Sequence, residues 1–427
     1  MTSSTTKLKA IQAAESTLLL ETYTRNPILF TSGEGVYLSD ENGAQYLDLL
    51  SGIGVNALGY AHPAILNAIA GQSRKLIHTS NLYYHEGQAE LALRLTQQTG
   101  LDRAFFCNSG TEAWEAAMKV ARAHAGLLRS EGRYVGTKFL AMEGSFHGRT
   151  FGSVSTTHKA KYREPFGPVI EGVEFVRFND LADLHAKFSS EVCAVLIEAV
   201  QGEGGIRPVS QQFFDAARSL TAGTGALLIA DEIQSGLGRT GKWCAYQHYG
   251  IQPDITTLAK PLAGGIPLGA MLCSEEAARA IHPGMHGTTF GGGPLACAVA
   301  LAVLDTIDND HLLARINQVG DYFRQQLNTL KARHEAIVTV RGMGLMLAAE
   351  LDSSDLAALV VEKMLDSRIL INRTSETVLR FLPPYILERE HVDHAIAALD
   401  AILSQHGSPA TAAHSGAKGG TLVDPQH

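Results

Sequence analysis

The segment ALLIADEIQ, residues 226–234, joins an unbroken apolar run to two consecutive acids. A strand with one solvated face alternates apolar and polar side chains, whereas a strand of a parallel sheet is buried on both faces and is apolar throughout. The run Ala226–Ala230 is of the second kind, so it predicts a strand over Ala226–Ile233 in a doubly wound α/β domain. Ligands bind at the carboxyl ends of the strands in such sheets, where polar residues follow the apolar runs.

Other apolar segments alternate with helical patterns at the spacing of βαβ units. The further predicted strands are Lys138–Met142, Ala194–Val200, Ile255–Ala259 and Gly269–Ser274, and the clearest helices among them are Phe213–Ala222 and Pro294–Thr306. Beyond about Asp310 the pattern changes to a two-layer α+β arrangement, which predicts a second, smaller domain.

The pattern therefore predicts four regions. Residues 1–60 form an N-terminal segment that joins the small domain, residues 61–309 form the large domain, and residues 310–406 form the C-terminal small domain. Residues 407–427 are polar and glycine-rich, which is typical of a disordered tail.

Composition excludes several classes of function. A net charge of -8 and the lack of a basic run disfavour a nucleic-acid-binding protein. No apolar stretch approaches the ~20 residues of a membrane span, and the first residues lack the apolar core of a secretory signal. The five cysteines show no metal-ligand spacing, so we expect them to be reduced and buried in a cytoplasmic protein.

Lys260 stands where the apolar segment ITTLA, residues 255–259, runs into the turn-rich segment PLAGGIPL. A lysine at the edge of a core is desolvated, which lowers its pKa and makes the amine available as a nucleophile. A lysine that extends its charged end from a buried strand towards water is the simpler interpretation of this segment taken alone.

The segment NSGTEAWEAAMKVARAHAG, residues 108–126, predicts a helix. Ser109 and Glu112 form a capping box at its start, and Gly126 is expected to end it. The first N–H groups of such a helix are free, and a phosphate is the anion they suit best. Because capped helices are common, Gly110 and Thr111 favour a phosphate site only slightly.

The other strand ends supply groups that would complement a flat, phosphorylated cofactor. Asp231 ends an apolar strand and needs a cationic partner, which a protonated ring nitrogen would be. Phe146 could stack on a ring, although a single phenylalanine is more often core. Together with the lysine and the helix, these residues match the requirements of pyridoxal 5′-phosphate, an electron sink that a protein orients.

Two other sites are disfavoured. The segment GLGRTG, residues 236–241, matches the dinucleotide-binding fingerprint but is separated from the preceding apolar strand by polar residues and is not followed by a packing helix, so we predict a loop. The histidines lack paired metal-binding spacing, so no metal site is expected.

The chain resembles the class III (ornithine-type) pyridoxal-phosphate-dependent aminotransferases over about residues 22–403. The resemblance rests on separate motifs, among them NSGTEA, FHGRT, QGEGG, DEIQSGLGRTG, TLAKPLAGGIPLGA, HGTTFGGGPLACA and VLRFLPP. It implies transferase fold type I and a homodimer with shared active sites.

The resemblance also implies roles for residues around the cofactor. Lys260 would form the Schiff base with the cofactor and move the proton, and Asp231 would pair with the pyridine nitrogen. The other implied cofactor contacts are Gln234 to the ring hydroxyl, Gly110 and Thr111 to the phosphate, Phe146 as the stacking ring, and Thr289 to the phosphate of the neighbouring subunit.

For the substrates, the resemblance implies that Arg149 binds the distal carboxylate of the amino donor. Arg380 would bind the α-carboxylate of 2-oxoglutarate, and Glu203 would cover this arginine while the donor is bound. Thr288 would border the substrate and Tyr23 would line the donor pocket. The resemblance further implies transfer of the δ-amino group of an acylated ornithine, N2-acetylornithine, to 2-oxoglutarate.

The chain departs from the usual family pattern at three positions. Trp114 stands where asparagine is common, Ala199 where proline is common, and Gly293 where the family usually has asparagine. At Trp114 we expect altered packing rather than lost activity. Ornithine, succinylornithine, 4-aminobutyrate and lysine-pathway aminotransferases share the same cofactor residues, so they remain alternatives, as does a catalytically silent binding protein of the same fold.

Overall fold

The computed structural model describes residues 4–406 of the chain. In chain order its strands are β1 (Phe30–Glu34), β2 (Tyr37–Asp40), β3 (Gln45–Asp48), β4 (Arg103–Cys107), β5 (Lys138–Met142), β6 (Val173–Val176), β7 (Val192–Ile197), β8 (Val200–Gln201), β9 (Arg207–Pro208), β10 (Leu227–Asp231), β11 (Ile255–Leu258), β12 (Gly269–Cys273), β13 (Ile337–Met343), β14 (Met346–Leu351), β15 (Ile369–Leu370), β16 (Asn372–Thr374) and β17 (Val378–Phe381).

The helices in the same order are α1 (Ser4–Leu18), α2 (Ser51–Gly54), α3 (Pro63–Ser73), α4 (Glu86–Thr99), α5 (Gly110–Ser130), α6 (Phe151–Ser155), α7 (Ala160–Arg163), α8 (Leu181–Lys187), α9 (Gln211–Ala222), α10 (Glu275–Ala278), α11 (Pro294–Asn309), α12 (Leu312–Arg333), α13 (Ser354–Asp366) and α14 (Arg389–His406). Among residues 4–406, no helix is both long and apolar enough to cross a membrane.

A seven-stranded sheet has the order β4-β12-β11-β10-β7-β5-β6. Its strands pair in parallel except for β12, which is antiparallel to both of its neighbours. The prediction of a mostly parallel sheet is therefore confirmed. The loop prediction for residues 236–241 is also confirmed, because that segment consists of turns.

Strand β10 shows why its segment is apolar throughout. Leu228 and Ala230 belong to one buried cluster, whereas Leu227 and Ile229 belong to another on the opposite face of the sheet. Successive side chains of a strand point to opposite faces, so helices on both faces require apolar residues at every position. A charged side chain is tolerated only where the strand ends, at Asp231.

Several predicted boundaries were wrong. The strand predicted over Ala226–Ile233 is β10, Leu227–Asp231, because turns begin after Glu232. Helix α5 passes through Gly126 and ends at Ser130, because the buried side chain of Leu128 packs in the core and outweighs the ~1 kcal/mol that glycine costs inside a helix. The predicted strand Ala194–Val200 is two strands, β7 and β8. Between them, the carboxylate of Glu198 accepts hydrogen bonds from the backbone N–H groups of Phe146 and Gly202, and the chain bends there.

Two four-stranded sheets lie outside the seven-stranded one. One has the order β1-β2-β3-β15 and the other the order β13-β14-β17-β16. Parallel pairing of β3 with β15 supports an N-terminal segment that joins the C-terminal domain, although the boundaries at residues 60 and 309 stay a prediction. The predicted disordered tail, residues 407–427, lies outside the described residues.

We expect Gly59→Ala to destabilise the junction of the N-terminal segment. Gly59 has φ +73°, and a Cβ there would lie 2.2 Å from the carbonyl oxygen of Gly35, which accepts a hydrogen bond from Tyr60 N–H at 2.8 Å. The matched control is Gly250→Ala, whose φ is +66° but whose Cβ would meet nothing within 4 Å. Gly59→Ala should cost about 2 kcal/mol more than the control in urea unfolding. Equal losses in both variants would show that only backbone conformation matters.

Candidate active site

A cavity of about 470 Å³ opens at the carboxyl ends of the parallel strands. Its walls come from segments that follow β4, β5, β7, β10 and β11, so residues far apart in sequence meet there. Eight of the twelve predicted site residues line it, namely Gly110, Thr111, Phe146, Arg149, Glu203, Asp231, Gln234 and Lys260.

The start of α5 forms one end of the cavity. The Ser109 hydroxyl accepts a hydrogen bond from Glu112 N–H at 3.3 Å, whereas the Glu112 carboxylate turns back to accept from Asn108 N–H at 2.7 Å. The capping box therefore closes one residue earlier than predicted. A Cβ on Gly110 would lie 2.8 Å from the side chain of Ile233, so only glycine fits here without displacing a wall of the cavity. The remaining N–H groups of the first turn suit a phosphate.

Asp231 is buried, with 4% of its surface exposed, yet its carboxylate is well satisfied. One oxygen lies 2.6 Å from Nδ1 of His147, and the other accepts hydrogen bonds from Ile233 N–H at 3.0 Å and the Thr257 hydroxyl at 3.3 Å. Both oxygens therefore have partners, as a buried carboxylate requires. The geometry suits an acid that faces a cationic ring nitrogen.

The amine of Lys260 differs from that carboxylate in its lowered pKa and in its lack of a partner among the described residues. Burial lowers the pKa of Lys260 to about 8, and the negative charge of Glu203 opposes this shift only in part. Among residues 4–406, no hydrogen bond or ion pair to its Nζ is found. A lysine with a lowered pKa and a free amine inside a cavity is suited to nucleophilic attack on an aldehyde.

Phe146 is half-buried and lines the cavity beside the residues just described. Its backbone N–H donates to Glu198 at 3.0 Å, and this contact fixes the backbone from which the ring projects. Burial raises the pKa of Glu198 to about 7, which the nearby charge of His147 opposes. A phosphate-binding helix, a flat apolar wall, a buried acid and a free amine together fit pyridoxal phosphate.

Arg380 lies on β17 and forms an ion pair with the carboxylate of Glu203. Its Nη1 donates to Glu203 and, at 3.3 Å, to Oε1 of Gln234, and its Nε donates to Asn372 at 3.1 Å. Burial raises the pKa of Glu203, but the Arg380 guanidinium, together with the charges of Lys260 and Lys159, outweighs this effect, so the pKa lies below its ordinary value. The pair is therefore charged at neutral pH.

Arg149, by contrast, is exposed. Its guanidinium carbon lies 3.7 Å from the ring centroid of Tyr162, and no carboxylate of the described residues pairs with it. Stacking of this kind orients the planar group and leaves its N–H donors available. Arg149 in the cavity is thus open, with its N–H donors available, whereas Arg380 at the cavity border is masked by Glu203.

Three predicted residues lie outside the cavity of their own chain, and their roles stay predictions. Tyr23 is 72% exposed, and Thr289 lies in an exposed loop. The Thr288 hydroxyl accepts a hydrogen bond at 3.2 Å from Asn108, which does line the cavity.

Four residues at the site had no role predicted from the sequence, namely His147, Glu198, Asn372 and Tyr162. His147 and Glu198 stand at the same strand ends as Phe146 and Glu203, so their positions were a usable signal. No comparable signal exists for Asn372 and Tyr162, because only the fold brings them to the two arginines.

Comparison with known proteins agrees with this geometry. The model of the family described as "Aminotransferase class-III" matches residues 20–403. The chain is 44% identical over 391 residues to an acetylornithine aminotransferase of Caldanaerobacter subterraneus subsp. tengcongensis, covering 92% of this chain and 98% of the relative. It is 46% identical over 386 residues to that of Methanocaldococcus jannaschii, with coverage of 90% and 96%.

Solved structures show the same relationship. The ornithine aminotransferase from Toxoplasma gondii matches with a TM-score of 0.88 at 30% identity, covering 93% of this chain and 95% of that one. The acetylornithine aminotransferase from Elizabethkingia anophelis matches with a TM-score of 0.81 at 30% identity, with coverage of 93% and 99%. A fold-type I chain with this cavity and these relatives belongs to the class III aminotransferases, which are pyridoxal-phosphate-dependent enzymes.

Proposed function

We propose that the enzyme transfers the δ-amino group of N2-acetylornithine to 2-oxoglutarate, giving N-acetylglutamate 5-semialdehyde and glutamate in arginine biosynthesis. The observation that carries this proposal is the difference between the two arginines near Lys260. Arg149 is open, whereas Arg380 is covered by Glu203. Relatives at 43–46% identity that bear the name acetylornithine aminotransferase support the same substrate.

The open arginine accounts for donor binding. Acetylornithine carries one carboxylate, at the end opposite its reacting amine, and Arg149 can bind it through two parallel N–H groups. The uncharged chain near the reacting amine then passes a neutralised Arg380. If Glu203 did not neutralise Arg380, the free guanidinium would instead favour donors with a second carboxylate.

The masked arginine accounts for acceptor binding. 2-Oxoglutarate brings a carboxylate to each end, so its α-carboxylate competes with Glu203 for Arg380. Since Arg380 stays bonded to Asn372 and Gln234, it keeps its place while Glu203 moves away. The switch then requires the movement of one side chain only.

When bound, pyridoxal phosphate supplies the electron sink that stabilises negative charge on the reacting carbon. Gly110 and Thr111 would hold its phosphate, Phe146 would cover one face of its ring and Gln234 would contact the ring hydroxyl. Asp231 would pair with the ring nitrogen. Lys260 would supply the amine that holds the cofactor and would carry the proton, a task that suits an amine with a pKa of about 8.

A homodimer is part of the proposal. Thr289 does not reach the cavity of its own chain, and its loop is fixed to residues 81–85, because Asn81 Nδ2 donates to the Gly291 carbonyl at 3.1 Å and His85 contacts Gly292. The joined segments expose Leu82 (85%), Tyr84 (105%) and Phe290 (67%), an apolar patch that a second copy would cover. Thr289 would then contact the phosphate in the partner's cavity.

We also propose that the enzyme is cytoplasmic. The five cysteines are free and buried, which fits a reducing compartment.

Ornithine is the main competing donor, because solved ornithine aminotransferases match the chain at a TM-score of 0.88. Its free, positively charged α-amino group would stand beside the guanidinium of Arg149, with which no carboxylate of the described residues pairs. We expect kcat/KM for acetylornithine to exceed that for ornithine by about tenfold or more. The assay compares both with succinylornithine and 4-aminobutyrate, using Lys260→Ala as the inactive control. A higher kcat/KM for any other donor would assign the enzyme to that substrate.

The pH dependence of cofactor capture tests Lys260. Only the neutral amine attacks an aldehyde, and its pKa is about 8. The rate of covalent pyridoxal phosphate capture by the apoprotein should therefore rise about tenfold between pH 7 and pH 9 and then level off. Stopped-flow absorbance measures this rate, and Lys260→Ala should show no covalent phase. A rate still rising steeply above pH 9 would contradict a lowered pKa.

Arg380→Ala should separate the two half-reactions. The reaction with 2-oxoglutarate should slow by about 100-fold, as expected for a lost buried charge pair, whereas the reaction with acetylornithine should change only a few-fold. Single-turnover kinetics measures each half separately. Arg380→Lys keeps the charge and controls for loss of folding, since Arg380 is buried. Equal losses in both halves would refute the role of Arg380 as the acceptor site.

A further inference from the structure

Trp114 lies on α5, the helix that begins at the proposed phosphate site. It is fully buried on α5, four residues beyond Gly110 at the phosphate end. Its Nε1 donates to the Thr156 hydroxyl at 2.9 Å, which fixes the indole. The indole lies flat on the imidazole of His147, with ring centroids 3.9 Å apart and planes inclined by 7°.

The ring nitrogens of His147 make one hydrogen bond among the described residues. Its Nδ1 lies 2.6 Å from Asp231 Oδ2, and its Nε2 is buried without a hydrogen-bond partner in the described part of the chain. Torsion about the bond between Cβ and an imidazole ring is broad, so one hydrogen bond does not determine the plane of the ring. The indole does, because rotation would drive an edge of the imidazole into the indole face.

We propose that Trp114 is a positioning residue that holds the imidazole of His147 in the plane where it bonds Asp231. Through this contact the helix that receives the phosphate is joined to the acid that faces the cofactor's ring nitrogen. The inference rests on the proposed role of Asp231. It does not make Trp114 a catalytic residue, because the indole touches neither the cavity nor any reacting atom.

The geometry separates this role from simple core filling. Trp114 belongs to a buried apolar cluster that contains small residues such as Ala117 beside large ones such as Phe139, and an apolar side chain of similar volume would serve to fill its space there. A stacked pair at 3.9 Å and 7° needs a flat ring. Shape, rather than volume, should therefore decide whether the hydrogen bond between His147 and Asp231 persists.

Trp114→Met and Trp114→Phe test this distinction. Methionine fills irregular space but offers no flat face, whereas phenylalanine keeps a ring. The matched control is Phe213→Met on α9, a fully buried aromatic residue outside the cavity. Trp114→Leu replaces the methionine variant if that variant does not fold, as judged by circular dichroism.

The first readout uses the full-length apoprotein. The hydrogen-bonded Nδ1–H proton of His147 should give a low-field proton NMR resonance, assigned by its loss in His147→Asn. We expect this resonance in the wild type, Trp114→Phe and Phe213→Met, and its loss in Trp114→Met. An unchanged resonance in a folded Trp114→Met protein would overturn the proposal.

The second readout is the dissociation constant for pyridoxal phosphate. Trp114→Met should bind about tenfold more weakly, the scale of one lost charge-assisted hydrogen bond, whereas Trp114→Phe and Phe213→Met should stay within about threefold of the wild type. An equal loss of pyridoxal phosphate affinity in Phe213→Met would show that Trp114 contributes only core packing, and it would refute the proposal. A wild type that binds no pyridoxal phosphate would instead contradict the proposed function. The NMR resonance does not depend on the cofactor, so it still tests the role of Trp114 in that case.

Discussion

The cost of removing charged groups from water determines which side chains stand at the strand ends beneath the cavity. The parallel sheet is covered on both faces, so ionisable side chains are confined to the strand ends, where each must find partners. Asp231 has three donors around its carboxylate. Its neighbour Glu232 accepts from the Ser235 hydroxyl and two backbone N–H groups, although burial still raises its pKa to about 7. Among these buried charges Lys260 alone lacks a partner in the described chain, which leaves its amine free to react.

The same constraint shapes the substrate side of the cavity. A buried guanidinium without a counter-charge is costly, so Arg380 needs Glu203 whenever no substrate carboxylate is present. Asn372 and Gln234 hold the guanidinium in place without neutralising it. Arg149 needs no such cover because it is exposed and rests on Tyr162. Different degrees of burial therefore give two arginines the two behaviours that the proposed reaction requires.

How much could be predicted depended on whether a residue acts through its own segment or through a distant one. Lys260, Asp231 and Phe146 lie at the end of an apolar strand or within four residues of one, so the strand pattern located them. The motif resemblance paired Arg380 with Glu203, and the structure places the two in contact. The flat stack of Trp114 on His147 could not be read from either pattern. It joins α5 to the segment after β5, and a tryptophan on an apolar helix face is indistinguishable in sequence from ordinary core.

The sequence by itself determined the mostly parallel sheet, the strand ends that carry polar residues, and the family, because periodicity and motifs are properties of consecutive residues. Only the tertiary structure decided which of those strand ends converge on one cavity, how far each charge is removed from water, and which arginine is masked. Burial and proximity depend on residues that lie far apart along the chain. For that reason the lowered pKa of Lys260, suggested by its apolar neighbours, follows from the cavity that encloses the amine.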